Sequence, residues 1–329
     1  MDPHTVPLLR RAQLVDHGWH SRRVRRELET GHLRAIRPGV YVRAADFDGL
    51  GPEQKVIVAA RALAQASISP PVFCGVTAAA VLGLPCLRGD GRLHVLAAES
   101  RSSGATGVVR HRSLTEGTEL VDVAGLRCTP VARTIADVAR GETRETALSI
   151  ADAALRARAF RSPRRYDRDE AEHLREEALE WARNSTRGRR MAEWILRFAD
   201  GRAQRPGESV SRLRLHDLGF APPSLQAAVP GPHGATYWVD FGLDDVDAWG
   251  EFDGRVKYRG IAAAAGRTPQ SVIEEEKRRE DWIRGTTQRR FARWSWEDLA
   301  DAATLGHRLA AFGIVPRGNG ARSVRRGAQ

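Results

Sequence analysis

A chain of 329 residues is longer than one ordinary hydrophobic core serves, so two or three domains are expected rather than one. Lys plus Arg number 52 against 41 Asp plus Glu, and the formal net charge of +11 favours a polyanionic partner. Hydrophobic residues reach 42%, yet no apolar run attains the roughly 18 to 20 residues of a membrane helix and the opening Met-Asp-Pro-His lacks a signal-peptide layout; a cytoplasmic protein with no membrane partner is expected.

In chain order, Val6 to about Asp16 is predicted to be a helix, with Leu8, Leu9, Ala12 and Val15 as its apolar side and Gly18 as its stop. Ser21 caps a second helix running through Thr30. In it Val24 and Leu28 face inward, and Arg22, Arg23, Arg25 and Arg26 cover the other sides. Beyond Gly31, His32 to Arg37 and Val40 to Arg43 read as a hairpin, the intervening Pro38-Gly39 suiting a type II turn. Helix, turn, basic helix and hairpin make a winged helix-turn-helix over residues 1–48. The basic helix is expected in a DNA major groove, and Arg34, Arg37 and Arg43 on the wing at backbone phosphate.

Residues 49–159 are predicted to form an α/β domain. Pro52 to Ala66 is a helix rich in Ala and Val, Thr77 to Pro85 is a short helix closed by Gly83 and Pro85, and 92–98, 107–112 and 119–127 are strand-like. Thr129-Pro130 starts another helix, in which Arg133 and Asp137 stand at i and i+4 as a structural ion pair, and a further helix follows from Thr143 to Ala159. Cys74, Cys86 and Cys128 are widely spaced with no paired Cys or His nearby, so they read as small buried side chains and not as a disulfide framework or zinc site. Residues 160–205 shift to long charged side chains and read as a charged helical linker, with helices such as 168–184 and 190–200. The Gly- and Arg-rich residues 313–329 read as a disordered basic tail.

Three segments carry a likeness to known proteins: Gly31-His-Leu-Arg-Ala-Ile-Arg-Pro-Gly-Val-Tyr-Val, Thr77-Ala-Ala-Ala-Val-Leu-Gly-Leu-Pro and Arg133-Thr-Ile-Ala-Asp-Val-Ala-Arg. Through them roughly residues 5–158 resemble the AbiEi-type antitoxins of type IV toxin-antitoxin systems and the related regulators. The resemblance implies DNA binding through the winged helix rather than catalysis, and raises a cognate toxin as a further partner.

The third domain is expected over 206–312. Gly207-Glu-Ser-Val-Ser starts a helix bearing Glu208, and Leu225 to Val229 is strand-like. From Tyr237 to Leu243 the chain alternates as a strand with one packed face, which points Asp240 to the other. Asp244, Asp245 and Asp247 are turn formers, and Val246 to Phe252 returns as a second strand in which Glu251 and Asp253 share a side. Paired as a hairpin, these strands bring three carboxylates together, an unfavourable cluster unless a cation or a proton neutralises it. Ser271 to Arg284 is a helix with Glu276, Lys277, Asp281 and Arg284 on adjoining faces, followed by a strand at 289–294.

Asp240, then Glu251-Phe-Asp253-Gly254, then Lys277-Arg-Arg-Glu-Asp-Trp-Ile-Arg, in this order of helices and strands, resemble the PD-(D/E)xK nucleases over residues 206 to about 300, and more narrowly the branch close to the very-short-patch repair endonucleases. The resemblance implies a restriction-endonuclease-like domain with a mixed central sheet that hydrolyses DNA with Mg2+ (or Mn2+). Such hydrolysis needs a divalent cation to neutralise phosphate charge and to lower the pKa of a bound water, and a hard cation prefers oxygen ligands. Asp240 and Glu251 are the expected ligands, with Glu208 reaching the same site from its helix. The family's lysine, two residues after Glu251, is Asp253 here. Either Lys257 or Lys277 supplies a displaced ammonium, or the domain binds without cutting. The fold class is therefore α+β multidomain, with no oligomeric state assigned. Two functions stand: a DNA-binding, metal-dependent endonuclease, or a non-enzymatic, antitoxin-like transcriptional regulator with a degenerate nuclease fold.

Overall fold

In the computed structural model, which describes residues 1–87, 91–97, 107–112, 119–162, 165–185, 187–254 and 268–317, the first helix starts at Arg11 and not at Val6. Lys257 and residues 318–329 of the basic tail lie outside the described residues. The chain is mixed α+β and divides into two compact units, Met1–Gly201 and Arg202–Gln329.

The first unit opens with β1 (Leu9–Arg10), α1 (Arg11–Asp16), α2 (Ser21–Glu29), β2 (Leu33–Arg37) and β3 (Val40–Arg43), the strands forming an antiparallel sheet of order β1-β3-β2. Leu9 and Arg10 extend because they pair with Tyr41 and Val40, a tertiary contact that outweighs the helical spacing of the leucines. Leu14, Val24, Leu33 and Tyr41 pack beneath the helix pair, whereas Val15, expected inward, is exposed. Ser21 is the first residue of α2 and His20 its cap; the Ser21 hydroxyl accepts a hydrogen bond from Arg11 at 2.8 Å. Gly39 takes φ +78° in the hairpin, as the third position of a type II turn requires.

After the single turn α3 (Ala44–Phe47), α4 (Pro52–Ala66) and α5 (Gly75–Val81) cover a mixed five-stranded sheet of order β6-β5-β4-β8-β7. Its strands are β4 (Val72–Phe73), β5 (Leu93–Ala97), β6 (Val108–Arg112), β7 (Val121–Val123) and β8 (Leu126–Cys128). Ile57, Leu63, Phe73, Val81, Val95 and Leu126 form its core. Four helices follow: α6 (Val131–Gly141), α7 (Arg144–Ala159), α8 (Arg168–Arg183) and α9 (Arg189–Phe198), with a small hairpin of β9 (Phe160–Ser162) and β10 (Arg165–Tyr166) before α8. Thr143 caps α7 by accepting the Thr146 N–H. The segment expected as a linker is packed into this bundle: Ala171, Leu174, Ala178, Leu179, Ala182, Ala192, Ile195 and Leu196 are buried, and α8 and α9 lie against α6 and α7. Alanines spaced along α8 let it approach α6 closely, while its charges form ion pairs on the outer side, such as Glu170 with Arg158 at 2.6 Å.

The second unit places α10 (Pro206–Asp217), β11 (Ser224–Pro230), β12 (Thr236–Leu243), β13 (Ala248–Phe252), α11 (Pro269–Thr287), β14 (Arg290–Trp294) and α12 (Ala302–Ala310) in sequence. The sheet runs β11-β12-β13-β14, antiparallel across the first three strands and parallel between β13 and β14. Strand alternation feeds both faces. Trp249 and Phe291 pack with Ile283 of α11, while Trp294 stacks on Phe241 and donates from its indole to Ser211 of α10 at 2.7 Å. Gly250 is required beneath Trp294, since a Cβ at this position would overlap the indole. No helix among the described residues is long and apolar enough to cross a membrane.

Candidate functional site

The ladder between β12 and β13 pairs Leu243 with Ala248, Gly242 with Trp249 and Phe241 with Gly250, and ends there. Asp240 comes next, where the strands part. Its Oδ2 accepts the Phe252 N–H at 3.0 Å and so satisfies a donor that the ladder leaves over. Its Oδ1 accepts from Gln226 Nε2 at 3.2 Å, and the same nitrogen donates to Glu208 Oε2 at 3.2 Å. Glu208 stands in the first turn of α10, where a carboxylate complements the helix dipole, and also accepts the Gln204 N–H at 2.8 Å. A helix and two strands thus bring Glu208 and Asp240 to one amide nitrogen.

Glu251 is buried beside them and held by arginine. Arg279 of α11 donates to Oε1 at 2.5 Å, and Arg293, its register partner on β14, lies 2.9 Å from Oε2. Glu276 sits 3.0 Å from Arg279 and also contacts Arg293, Glu280 lies 3.1 Å from Arg293, and Arg279 further donates to the Trp238 carbonyl. Burial pushes the Asp240 carboxyl above the usual carboxylate range, against the Phe252 N–H, the Gln226 amide and the charges of Arg279 and Arg205. Burial also raises Glu251, opposed by Arg279 and Arg293 and reinforced by the nearby charge of Asp240.

The other expected residues are placed differently. Asp253 is exposed past the end of β13, its N–H donated to the Trp294 carbonyl at 2.8 Å. Lys277 is exposed and makes no ion pair among the described residues, because α11 turns Glu276, Arg279, Glu280 and Ile283 toward the sheet and leaves Lys277 out of phase. Sequence reasoning missed Arg279, Arg293 and Gln226. The spacing of Arg279 from Ile283 and the alternation of Arg293 with Phe291 carried a signal for the arginines; nothing local marked Gln226.

No group of three His, Cys, Asp or Glu side chains among the described residues is arranged to hold a metal ion. Two carboxylates do share a point, and a partly positive amide group marks it, 3.2 Å from each. By donor chemistry Glu208 and Asp240 are the carboxylates that could hold a hard divalent cation. Glu251, with both oxygens on guanidiniums, serves the arginines in this arrangement.

In the first unit, Arg22, Arg23, Arg25 and Arg26 are all exposed on α2. Arg26 pairs with Glu27 at 3.3 Å and Arg23 lies over the Trp19 ring at 4.0 Å, whereas Arg22 and Arg25 make no ion pair among the described residues. On the hairpin, Arg34 grips Asp48 through two bonds of 2.9 and 2.7 Å and donates to the Gly31 carbonyl, so its charge is engaged locally. Arg37 is half-buried, and burial lowers its pKa; Arg43 is exposed. Arg133 and Asp137 form the expected ion pair at 3.7 Å, and Arg140 joins it.

No protein-family model matches the chain. Two curated proteins of Mycobacterium tuberculosis are similar to it, the uncharacterized protein Rv2248 of strain H37Rv and the uncharacterized protein MT2308 of strain CDC 1551. Each is 33% identical over 208 residues, which cover 63% of this chain and 68% of the relative.

Proposed function

The chain belongs to one family with these mycobacterial proteins, and we propose that it is a cytoplasmic DNA-binding protein whose second unit hydrolyses DNA phosphodiester bonds with Mg2+ or Mn2+. The carrying observation is the meeting of Glu208 and Asp240 on one nitrogen, 3.2 Å from each, beside Glu251. Two carboxylates brought to one point offer the oxygen ligands that a hard divalent cation takes. In this reading α10 and the split between β12 and β13 belong to a PD-(D/E)xK-type domain like that of the very-short-patch repair endonucleases. Glu208 and Asp240 hold the cation, which when bound polarises the phosphate and acidifies a water. With Asp253 in the lysine slot, Lys277 facing solvent, and Arg279 and Arg293 engaged by Glu251, Glu276 and Glu280, the bound cation would be the positive charge that meets the phosphate.

The strand order β1-β3-β2 around the α1–α2 pair supports an AbiEi-type winged helix, with Arg22 and Arg25 of α2 available to DNA. Incubating the full chain with supercoiled plasmid and oligonucleotides under Mg2+ or Mn2+ tests the reading. Nicking that Asp240→Ala abolishes is expected, and no cleavage of any DNA form overturns it. The two guanidiniums on Glu251 favour a second reading, because a carboxylate already neutralised has less need of a cation. That reading is an antitoxin-like regulator of a type IV toxin-antitoxin system with a degenerate nuclease fold and a cognate toxin as partner. Sequence-selective DNA binding without metal or nicking selects it.

A further inference from the structure

Five described residues other than glycine have positive φ: Ala124, Gln226, His233, Asp247 and Gln288. Ala124, His233 and Asp247 lie in the connections between strands, and Gln288 caps the end of α11. Gln226 alone interrupts a strand, at φ +50° between Leu225, paired with Phe241, and Ala227, paired with Val239. L residues rarely adopt this backbone, and it persists only where the surroundings over-determine it. The side chain supplies the determinant: one amide nitrogen has two N–H bonds, and it lies 3.2 Å from Glu208 Oε2 and 3.2 Å from Asp240 Oδ1.

We infer that Gln226 is a positioning residue: β11 departs from extended backbone at Gln226 so that a single amide ties Glu208 of α10 to Asp240 of β12 and orients both carboxylates for one divalent cation. The inference rests on the metal-site reading above and assigns that site a residue which is not itself acidic. The amide offsets the repulsion between the carboxylates and orients them, as outer-shell partners do for metal ligands generally.

Mn2+ binding to the full chain, followed by loss of the free-ion electron paramagnetic resonance signal, tests this without reference to cleavage. Wild type is expected to bind and Asp240→Asn to lose binding. Gln226→Gly accepts the positive φ but lacks the amide, so the fold should survive at a somewhat lower melting temperature, since two carboxylates lose a donor, while Mn2+ affinity falls by about tenfold or more. Because the residue acts through Glu208 and Asp240, adding Gln226→Gly to Glu208→Gln should cost less than about twofold further, whereas a merely structural role makes the two losses multiply. Binding that Asp240→Asn abolishes but Gln226→Gly leaves unchanged, or losses that multiply, overturns the role of Gln226 alone. Wild type and Asp240→Asn binding Mn2+ equally, or not at all, overturns the metal site and this inference together.

Discussion

Arg279→Leu removes one of the two guanidiniums that neutralise Glu251. The buried carboxylate keeps Arg293 at 2.9 Å but loses the 2.5 Å bond to Arg279, and Glu276 loses its 3.0 Å partner. The Arg279 and Glu251 side chains are only 19% and 12% exposed, so water replaces little of what is lost. A hydrogen bond to a charged group contributes about 1.5–3 kcal/mol, and removing the sole partner of a buried charge costs about 3–5 kcal/mol. Because Arg293 remains, the expected loss is about 2–3 kcal/mol. Hydrogen exchange of β13 and β14 amides in the full chain reads this for the second unit by itself. The loss also depends on pH. Burial already holds the Glu251 pKa above its ordinary value, and deleting Arg279 raises it further. A carboxylate with a raised folded-state pKa destabilises the fold above that pKa, and the penalty fades as pH falls through it. The deficit should therefore be larger at an alkaline pH than at an acid one. A loss under about 0.5 kcal/mol, or equal losses at the two pH values, refutes the reasoning.

Gly250→Ala sets a methyl group against the Trp294 indole and should destabilise the second unit by about 1–3 kcal/mol or more, read by the same exchange experiment; a neutral effect would mean that the β13–β14 contact is looser than described. In DNA-binding titrations by fluorescence anisotropy, Arg22→Ala and Arg25→Ala should each lower the salt slope by about 1. Arg34→Ala should leave that slope unchanged, since Asp48 already holds its guanidinium, and the reverse ranking would put the DNA on the hairpin instead of α2. Thiol labelling of the native chain at about pH 8 should be negligible until denaturant is added, because burial pushes Cys86 up to about 12, Cys128 up to about 11 and Cys74 higher still; rapid native labelling would show the core opening.

Features whose partners lie within a turn or a hairpin were legible in the sequence. The helix Pro52–Ala66, the Pro38-Gly39 turn, the Arg133–Asp137 pair and the hairpin that carries Asp240 and Glu251 all follow from local backbone preference and from the periods of helix and strand. Pairings over longer distances were not. Leu9 and Arg10 are extended because β3, some thirty residues on, offers them hydrogen bonds, and the charged segment that reads as a linker packs because its alanines meet α6. At the carboxylates the division is sharpest. The sequence by itself put Asp240 and Glu251 on one hairpin, since a strand order and a turn suffice for that, whereas Asp253, expected beside them, is exposed past β13. Only the tertiary structure decided their partners: Arg279, 28 residues from Glu251, and Gln226, 18 residues from Glu208 and 14 from Asp240. A buried charge must find whichever donor the fold leaves beside it, and that choice depends on packing between elements, which neither the period of a strand nor the phase of a helix encodes.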